Sequence, residues 1–136
     1  MATRNPPRPP SFKKIEAMIL LDTNIFIYLA NGTLTTKTLK NNDIAFTSIT
    51  KIETLGYSQI IVAEQNYLEN LFDACEQLNL DESVIKQTIK LRQQSKMSLA
   101  DAIIAATAIV YDYELWTANE SDFRHIENLS VYNPLH

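Results

Sequence analysis

Apolar residues fall along this chain in two kinds of block. The short apolar run at 18–21 has the length of a buried strand, and the segments 44–48, 113–117 and 129–132 read as further strands. Between them lie longer stretches with helical spacing. After Ile61, the positions Leu68, Leu71, Phe72, Cys75 and Leu78 form one face of an amphipathic helix, which places Cys75 in the core. Residues 78–80 suggest a very short edge strand. Asp81 then caps a helix running to about Gln94, with Val84, Ile85, Ile89 and Leu91 turned inward. Ser98 opens the most apolar helix of the chain. It carries Ala102, Ile103, Ile104, Ala105, Ala106, Ala108, Ile109 and Val110, and is apolar nearly all round, so it belongs in the middle of the fold. Two more helices are predicted, one after Thr50 that ends near Gly56 and one after Asn119. Strand and helix alternate, which predicts an α/β fold with an open, mainly parallel sheet and helices on both faces.

Residues 1–17 stand apart. They hold four of the five prolines, together with Arg4, Arg8, Lys13 and Lys14, and show neither periodicity. They read as an extended basic arm ahead of a single domain at 18–136, a length that suits one core. A chain starting at Met18 is expected to keep its thermal midpoint within a few degrees, since ~1 kcal/mol shifts a domain of this size by roughly 2–8 °C. A larger drop in a melting curve would show that the arm packs on the domain.

The net charge of −4 argues against broad attraction to nucleic acid, but not against an acidic, metal-holding nuclease site. The single cysteine, Cys75, excludes an intrachain disulfide and a cysteine zinc site, and fits a reducing cytoplasm. No apolar run is long enough for a membrane span, and the N-terminus has no apolar stretch of the secretory kind.

Every predicted strand-to-helix junction carries an acid: Asp22, Glu53, Asp101 and Asp122. Taken singly, each reads as a cap. Asp22 or Asn24 can cap the first helix, and Thr50/Glu53, Ser98/Asp101 and Asn119/Asp122 all have the capping-box spacing. Taken together, they fall on one edge of a parallel sheet, where ligand sites collect. Four carboxylates brought close must be protonated, separated or neutralised by a cation. Oxygen ligands without cysteine or clustered histidine favour Mg²⁺ or Mn²⁺ over Zn²⁺.

Four segments, Leu20-Leu21-Asp22-Thr23-Asn24, Ser48-Ile49-Thr50-Lys51-Ile52-Glu53, Leu99-Ala100-Asp101-Ala102 and Thr117-Ala118-Asn119-Glu120-Ser121-Asp122-Phe123, resemble the four motifs of PIN-domain ribonucleases in order, spacing and strand context. The likeness covers residues 18–135, and the size of the chain resembles the VapC toxins of toxin–antitoxin pairs. The resemblance implies Mg²⁺- or Mn²⁺-dependent cleavage of RNA. Asp22 and Asp101 would be the primary metal ligands, and Glu53 and Asp122 further ligands, direct or through water. Asn24, Thr117 and Asn119 would be supporting polar residues. It also implies a homodimer and an antitoxin that blocks the site.

Two other classes compete. A phosphoryl-transfer domain with Asp22 as nucleophile lacks the second aspartate two residues on, where Asn24 stands. A non-catalytic PIN-like module binding RNA or protein would not need the intact quartet. Lys51 and Arg124 flank the acids and read as solvated, as does the set Lys86, Lys90, Arg92 and Lys96. His125 reads as a surface or packing residue.

Overall fold

The computed structural model describes residues 18–39 and 42–135, so the 1–17 arm lies outside the described residues. Five parallel strands form one sheet: β1 (Met18–Leu21), β2 (Asp43–Thr47), β3 (Glu76–Leu78), β4 (Glu114–Trp116) and β5 (Val131–Tyr132), in the order β3-β2-β1-β4-β5. Five α-helices connect them: α1 (Thr23–Ala30), α2 (Ser48–Leu55), α3 (Val62–Asp73), α4 (Glu82–Gln94) and α5 (Leu99–Tyr111).

The central strand shows why the sheet is covered on both sides. Ile19, Leu20 and Leu21 are fully buried, and their alternation sends them to opposite layers. Ile19 and Leu21 join Ile25, Phe26 and Leu29 of α1 and Leu68 and Phe72 of α3. Leu20 joins Val84 and Leu91 of α4 and Ile104, Ala105 and Ala108 of α5. On the first face Phe26, Phe46 and Phe72 lock two helices to the sheet, with ring centroids 4.5–5.9 Å apart. On the second, the alanines of α5 let that helix lie close to the strands. The α/β fold read from the sequence is therefore borne out, including the all-round burial of α5 from Ala102 to Ala108.

Several local readings need correction. The third strand is Glu76–Leu78 rather than 78–80, though it is an edge strand as expected. Cys75 lies past the end of α3, in the turn before β3, and is half-buried against the first core layer. On α4 the buried positions are Val84, Thr88 and Leu91, while Ile85 and Ile89 are exposed. The inward stripe follows the 84-88-91 spacing because the Thr88 hydroxyl donates to the Val84 carbonyl at 2.7 Å, which lets a polar residue enter the core. Finally, α2 starts at Ser48, not after Thr50. Thr47 leaves β2 in an extended conformation and accepts from the Thr50 N–H, so it takes the cap. As expected, the helix stops at Gly56, where a Cβ would collide with the Ile52 carbonyl.

Candidate active site

In this strand order, the chain leaves β1 toward β2 on one side and returns as β4 on the other. The crevice beyond the carboxyl ends of β1 and β4 is thus the topological switch point. Asp22 follows β1 directly and Thr117 follows β4. The Asp22 N–H donates to the Trp116 carbonyl at 2.9 Å, extending the pairing by one residue and fixing where the carboxylate starts. One carboxylate oxygen of Asp22 accepts from the Thr23 N–H at 2.8 Å and the other from the Thr117 hydroxyl at 2.8 Å. Asp22 is therefore both the N-cap of α1 and a buried acid, 5% exposed. Burial pushes its pKa up to about 6; the Asp101 and Glu53 carboxylates add to the rise, and the Thr117 and Thr23 hydrogen bonds oppose it.

Asp101 stands in the first turn of α5, its N–H bonded to the Ser98 hydroxyl at 3.1 Å. Its pKa is raised, first by burial, then by the Asp122 and Glu53 carboxylates, while the Ser98 side chain, by hydrogen bonding to the carboxylate, lowers it. Electrostatic coupling thus links all four acids: Asp22 to Asp101 and Glu53, and Asp101 to Glu53 and Asp122.

Of the three capping pairs expected, only Ser98/Asp101 makes its cap hydrogen bond, from the Asp101 N–H to the Ser98 hydroxyl. Glu53 lies in the second turn of α2, and its carboxylate accepts instead from the Thr23 hydroxyl at 2.8 Å. Thr23 has a single hydroxyl proton, so Thr50 donates to Thr23, 3.0 Å away, and Thr47 to Thr50 at 3.2 Å. A one-way hydroxyl relay, Thr47 to Thr50 to Thr23 to Glu53, aims this exposed carboxylate toward β1. At Asn119 the expected helix is one 3-10 turn, Glu120–Asp122, with no side-chain cap. Asn119 contributes its backbone N–H, which donates to the Thr117 hydroxyl oxygen at 3.0 Å. Asn24 holds the same loop rather than an acid, its side-chain oxygen accepting from the Ala118 N–H at 3.3 Å.

Sequence reasoning missed Thr23, Thr47 and Asn133, and read Thr50 as a cap rather than as a link in the hydroxyl chain. The Asn133 side-chain amide donates to the Ala118 carbonyl and to Glu120 from beyond β5. For the threonines the signal was present: Thr47 ends a strand and precedes a helix, the usual place of an N-cap. His125 is exposed and hydrogen-bonded to Ser95, outside the acid cluster.

Among the described residues, no three acid, histidine or cysteine side chains converge tightly enough to make a ready-made metal cage. The donor set nonetheless fits a hard divalent cation. It is all oxygen, and the neighbouring carboxylates help raise the pKa of Asp22 and of Asp101, so a cation would relieve a repulsion already present. An open set of this kind is compatible with Mg²⁺, which keeps several waters and needs only one or two direct carboxylates.

Residues 19–129 match the family described as PIN domain. The chain is 28% identical over 126 residues to Ribonuclease VapC of Rickettsia bellii (strain RML369-C), covering 83% of this chain and 93% of that protein. It aligns with VapBC2 from Rickettsia felis bound to a promoter DNA fragment, with TM-score 0.75 and 26% identity over 85% of this chain and 97% of that one. A toxin–antitoxin complex from Klebsiella pneumoniae gives TM-score 0.68 and 28% identity, again over 85% and 97%.

Proposed function

The chain belongs to the PIN domain family, and from that premise we propose that it is a metal-dependent endoribonuclease, the toxin of a toxin–antitoxin pair. The electrostatic influence of Glu53 and Asp101 on the buried Asp22, and of Glu53 and Asp122 on Asp101, at the sheet's switch point, supports this function. Asp22 and Asp101 would hold Mg²⁺ or Mn²⁺, with Glu53 and Asp122 as further ligands, direct or through water. Held there, such an ion would supply an activated water at neutral pH and would offset charge on the departing oxygen.

The remaining contributions belong to the chain. The Thr117 and Thr23 hydrogen bonds hold both oxygens of Asp22 in place and favour its ionised form. The threonine relay orients Glu53, and Asn24, with the Asn119 N–H, ties the loop after β4 to the start of α1. Each orienting group sits on a strand end or helix start, which keeps the acids in register with the RNA phosphodiester.

The cognate antitoxin would land beside the acids. A groove of about 290 Å³ is lined by Ile27, Ala30, Tyr57, Ile60 and Leu68, with Thr54, Glu53 and Glu64 in its wall. Ile52, Ile61 and Val62 are exposed at 65%, 59% and 74%. A partner covering this apolar surface would also cover one of the four carboxylates. Among the described residues, no helix is long and apolar enough to cross a membrane, and the lone cysteine fits a cytoplasmic setting.

Purified chain with Mn²⁺ is expected to cut single-stranded RNA internally, and EDTA or Asp22→Asn to abolish the cutting. RNA left intact by the wild type in both Mg²⁺ and Mn²⁺, but bound by it, would favour the non-catalytic module.

A further inference from the structure

A second cavity, of about 320 Å³, lies between the last turns of α4 and the loop leading into β5. One wall is Gln87, Lys90 and Gln94 of α4, continued by Ser95; the other is His125 and Asn128. A hydrogen bond of 3.1 Å between the Ser95 hydroxyl and His125 Nε2 joins the two walls. The lining is polar and rich in donors: two glutamines, an asparagine, an ammonium and an imidazole, with Glu127 as its one carboxylate.

Both walls run on into the acid cluster. Ser95 lies three residues before Ser98, whose hydroxyl holds the Asp101 N–H, and His125 lies three residues after Asp122. Three residues of chain span at most about 10 Å, so the His125 wall of the cavity lies close to Asp122. Charge points the same way. The chain carries 12 Lys and Arg against 16 Asp and Glu, yet residues 86–98 hold Lys86, Lys90, Arg92 and Lys96 and no acid. Among the described residues, none of these four enters an ion pair; the ion pair nearby is Arg124–Glu120, at 3.8 Å.

Resting on the ribonuclease assignment above, we propose that this cavity is a base-reading subsite for an unstacked nucleotide of the RNA substrate, flanking the scissile phosphodiester. Lys90 holds the nucleotide's phosphate. The exposed His125 ring offers a stacking face, and the amides of Gln87, Gln94 and Asn128 face the base edge. Single-stranded RNA is read in this manner, by splayed bases stacked on a ring and hydrogen-bonded along their edges. An acidic protein with few cations holds a polyanion best where cations are gathered; Lys90 lines the cavity, and Lys86, Arg92 and Lys96 lie on the same stretch of chain, 86–98.

The test uses the full chain and a randomised single-stranded RNA pool. Cut sites are sequenced for wild type, Lys90→Glu, Gln94→Ala, His125→Ala and, as a control for net charge, Lys37→Glu in the remote 3-10 turn Thr36–Leu39. Lys90→Glu should raise KM about tenfold with a smaller change in kcat, and should flatten the salt dependence of binding. Gln94→Ala should reduce base preference at one position near the cut by about tenfold, and His125→Ala should raise KM by about tenfold, the scale of losing one stacked base. Lys37→Glu should behave as wild type.

In parallel, fluorescence anisotropy measures Kd for the same pool in EDTA in an Asp101→Asn background, where Lys90→Glu should weaken binding about tenfold relative to Lys37→Glu. If the wild type cuts no RNA, the ribonuclease assignment falls, and the anisotropy still decides the subsite. Variants that cut with wild-type preference and bind with wild-type Kd overturn it. Lost affinity with unchanged base preference also overturns it, since Lys90 would then be a phosphate contact only.

Discussion

In EDTA at pH 7, Asp22→Asn is expected to melt more than about 5 °C above the wild type, and at pH 4 the two should melt nearly together. The reason is the pKa of Asp22, raised from 3.8 to about 6 by burial and by its acidic neighbours. A carboxyl whose folded pKa exceeds its unfolded value binds more protons when folded between those two values, so stability falls as pH rises from about 4 to about 6. A shift of that size corresponds to a penalty of about 3 kcal/mol once the group is ionised. Asparagine matches the protonated acid in size and removes the penalty. Asp101 adds to the same fall, because its pKa is also raised. Asp81 works in the opposite direction. Its hydrogen bonds from Tyr111 and the Val84 N–H lower its pKa, so its contribution is present above about pH 4 and lost as pH drops below that. Comparing wild type with Asp22→Asn at each pH cancels Asp81 and isolates the buried acid.

The same four curves with Mn²⁺ complete the test. A ligand bound only by the native state adds about 2.7 kcal/mol at a hundredfold excess over Kd. The wild type should therefore gain several degrees with Mn²⁺, and the variant little. A variant that melts below wild type in EDTA while keeping the full Mn²⁺ gain would remove Asp22 from any metal-holding cluster. A simple cap predicts a different sign, because Asn caps about as well as Asp and loses at most ~1 kcal/mol of charge–dipole energy.

Much of the fold was legible because its signals are local and strong. The buried run at β1, the Asp81 cap and the all-round apolarity of α5 each follow from a few adjacent residues, and alternation of strand and helix then leaves little freedom in the sheet. What was not legible depended on choices between near-equal local options. Thr47 and Thr50 are both adequate caps, and only the register of β2 on β1, Asp43 opposite Met18, decides that Thr47 leaves the sheet first. Ile85 and Ile89 outrank Thr88 in hydrophobicity, yet a back-bonded threonine fits the α4–α5 contact and two isoleucines stay in solvent. The site shows the same division. That four acids share an edge could be read from topology. That Glu53 is aimed by Thr23, 30 residues away, rather than folded back onto its own helix start, depends on how α1 and α2 lie side by side. No periodicity encodes that contact.

Growth arrest should depend on the Asp101 charge and not on the helix start it occupies. Expressed in a bacterial host lacking the antitoxin, the wild-type chain is expected to stop growth, Asp101→Asn to permit it, and Ser98→Ala to stop it still. Asp101 has two separable features. Its backbone N–H receives the Ser98 cap, and its half-buried carboxylate couples to Asp22, Glu53 and Asp122. Ser98→Ala removes the cap at a cost of ~1 kcal/mol of stability and leaves every carboxylate in place. Asp101→Asn keeps the cap, the side-chain size and the helix, and removes one charge from the quartet. If that charge helps hold the ion that activates water, several kcal/mol of transition-state stabilisation go with it, and at tenfold per ~1.4 kcal/mol the rate falls at least about a hundredfold. Melting curves in EDTA check that Asp101→Asn is folded; it should be no less stable than wild type, since relief of repulsion acts in its favour. Equal arrest by wild type and Asp101→Asn would show that the carboxylate quartet is not the toxic principle. Permitted growth with a folded Ser98→Ala would show that placement of the α5 start, rather than the charge it carries, limits the reaction.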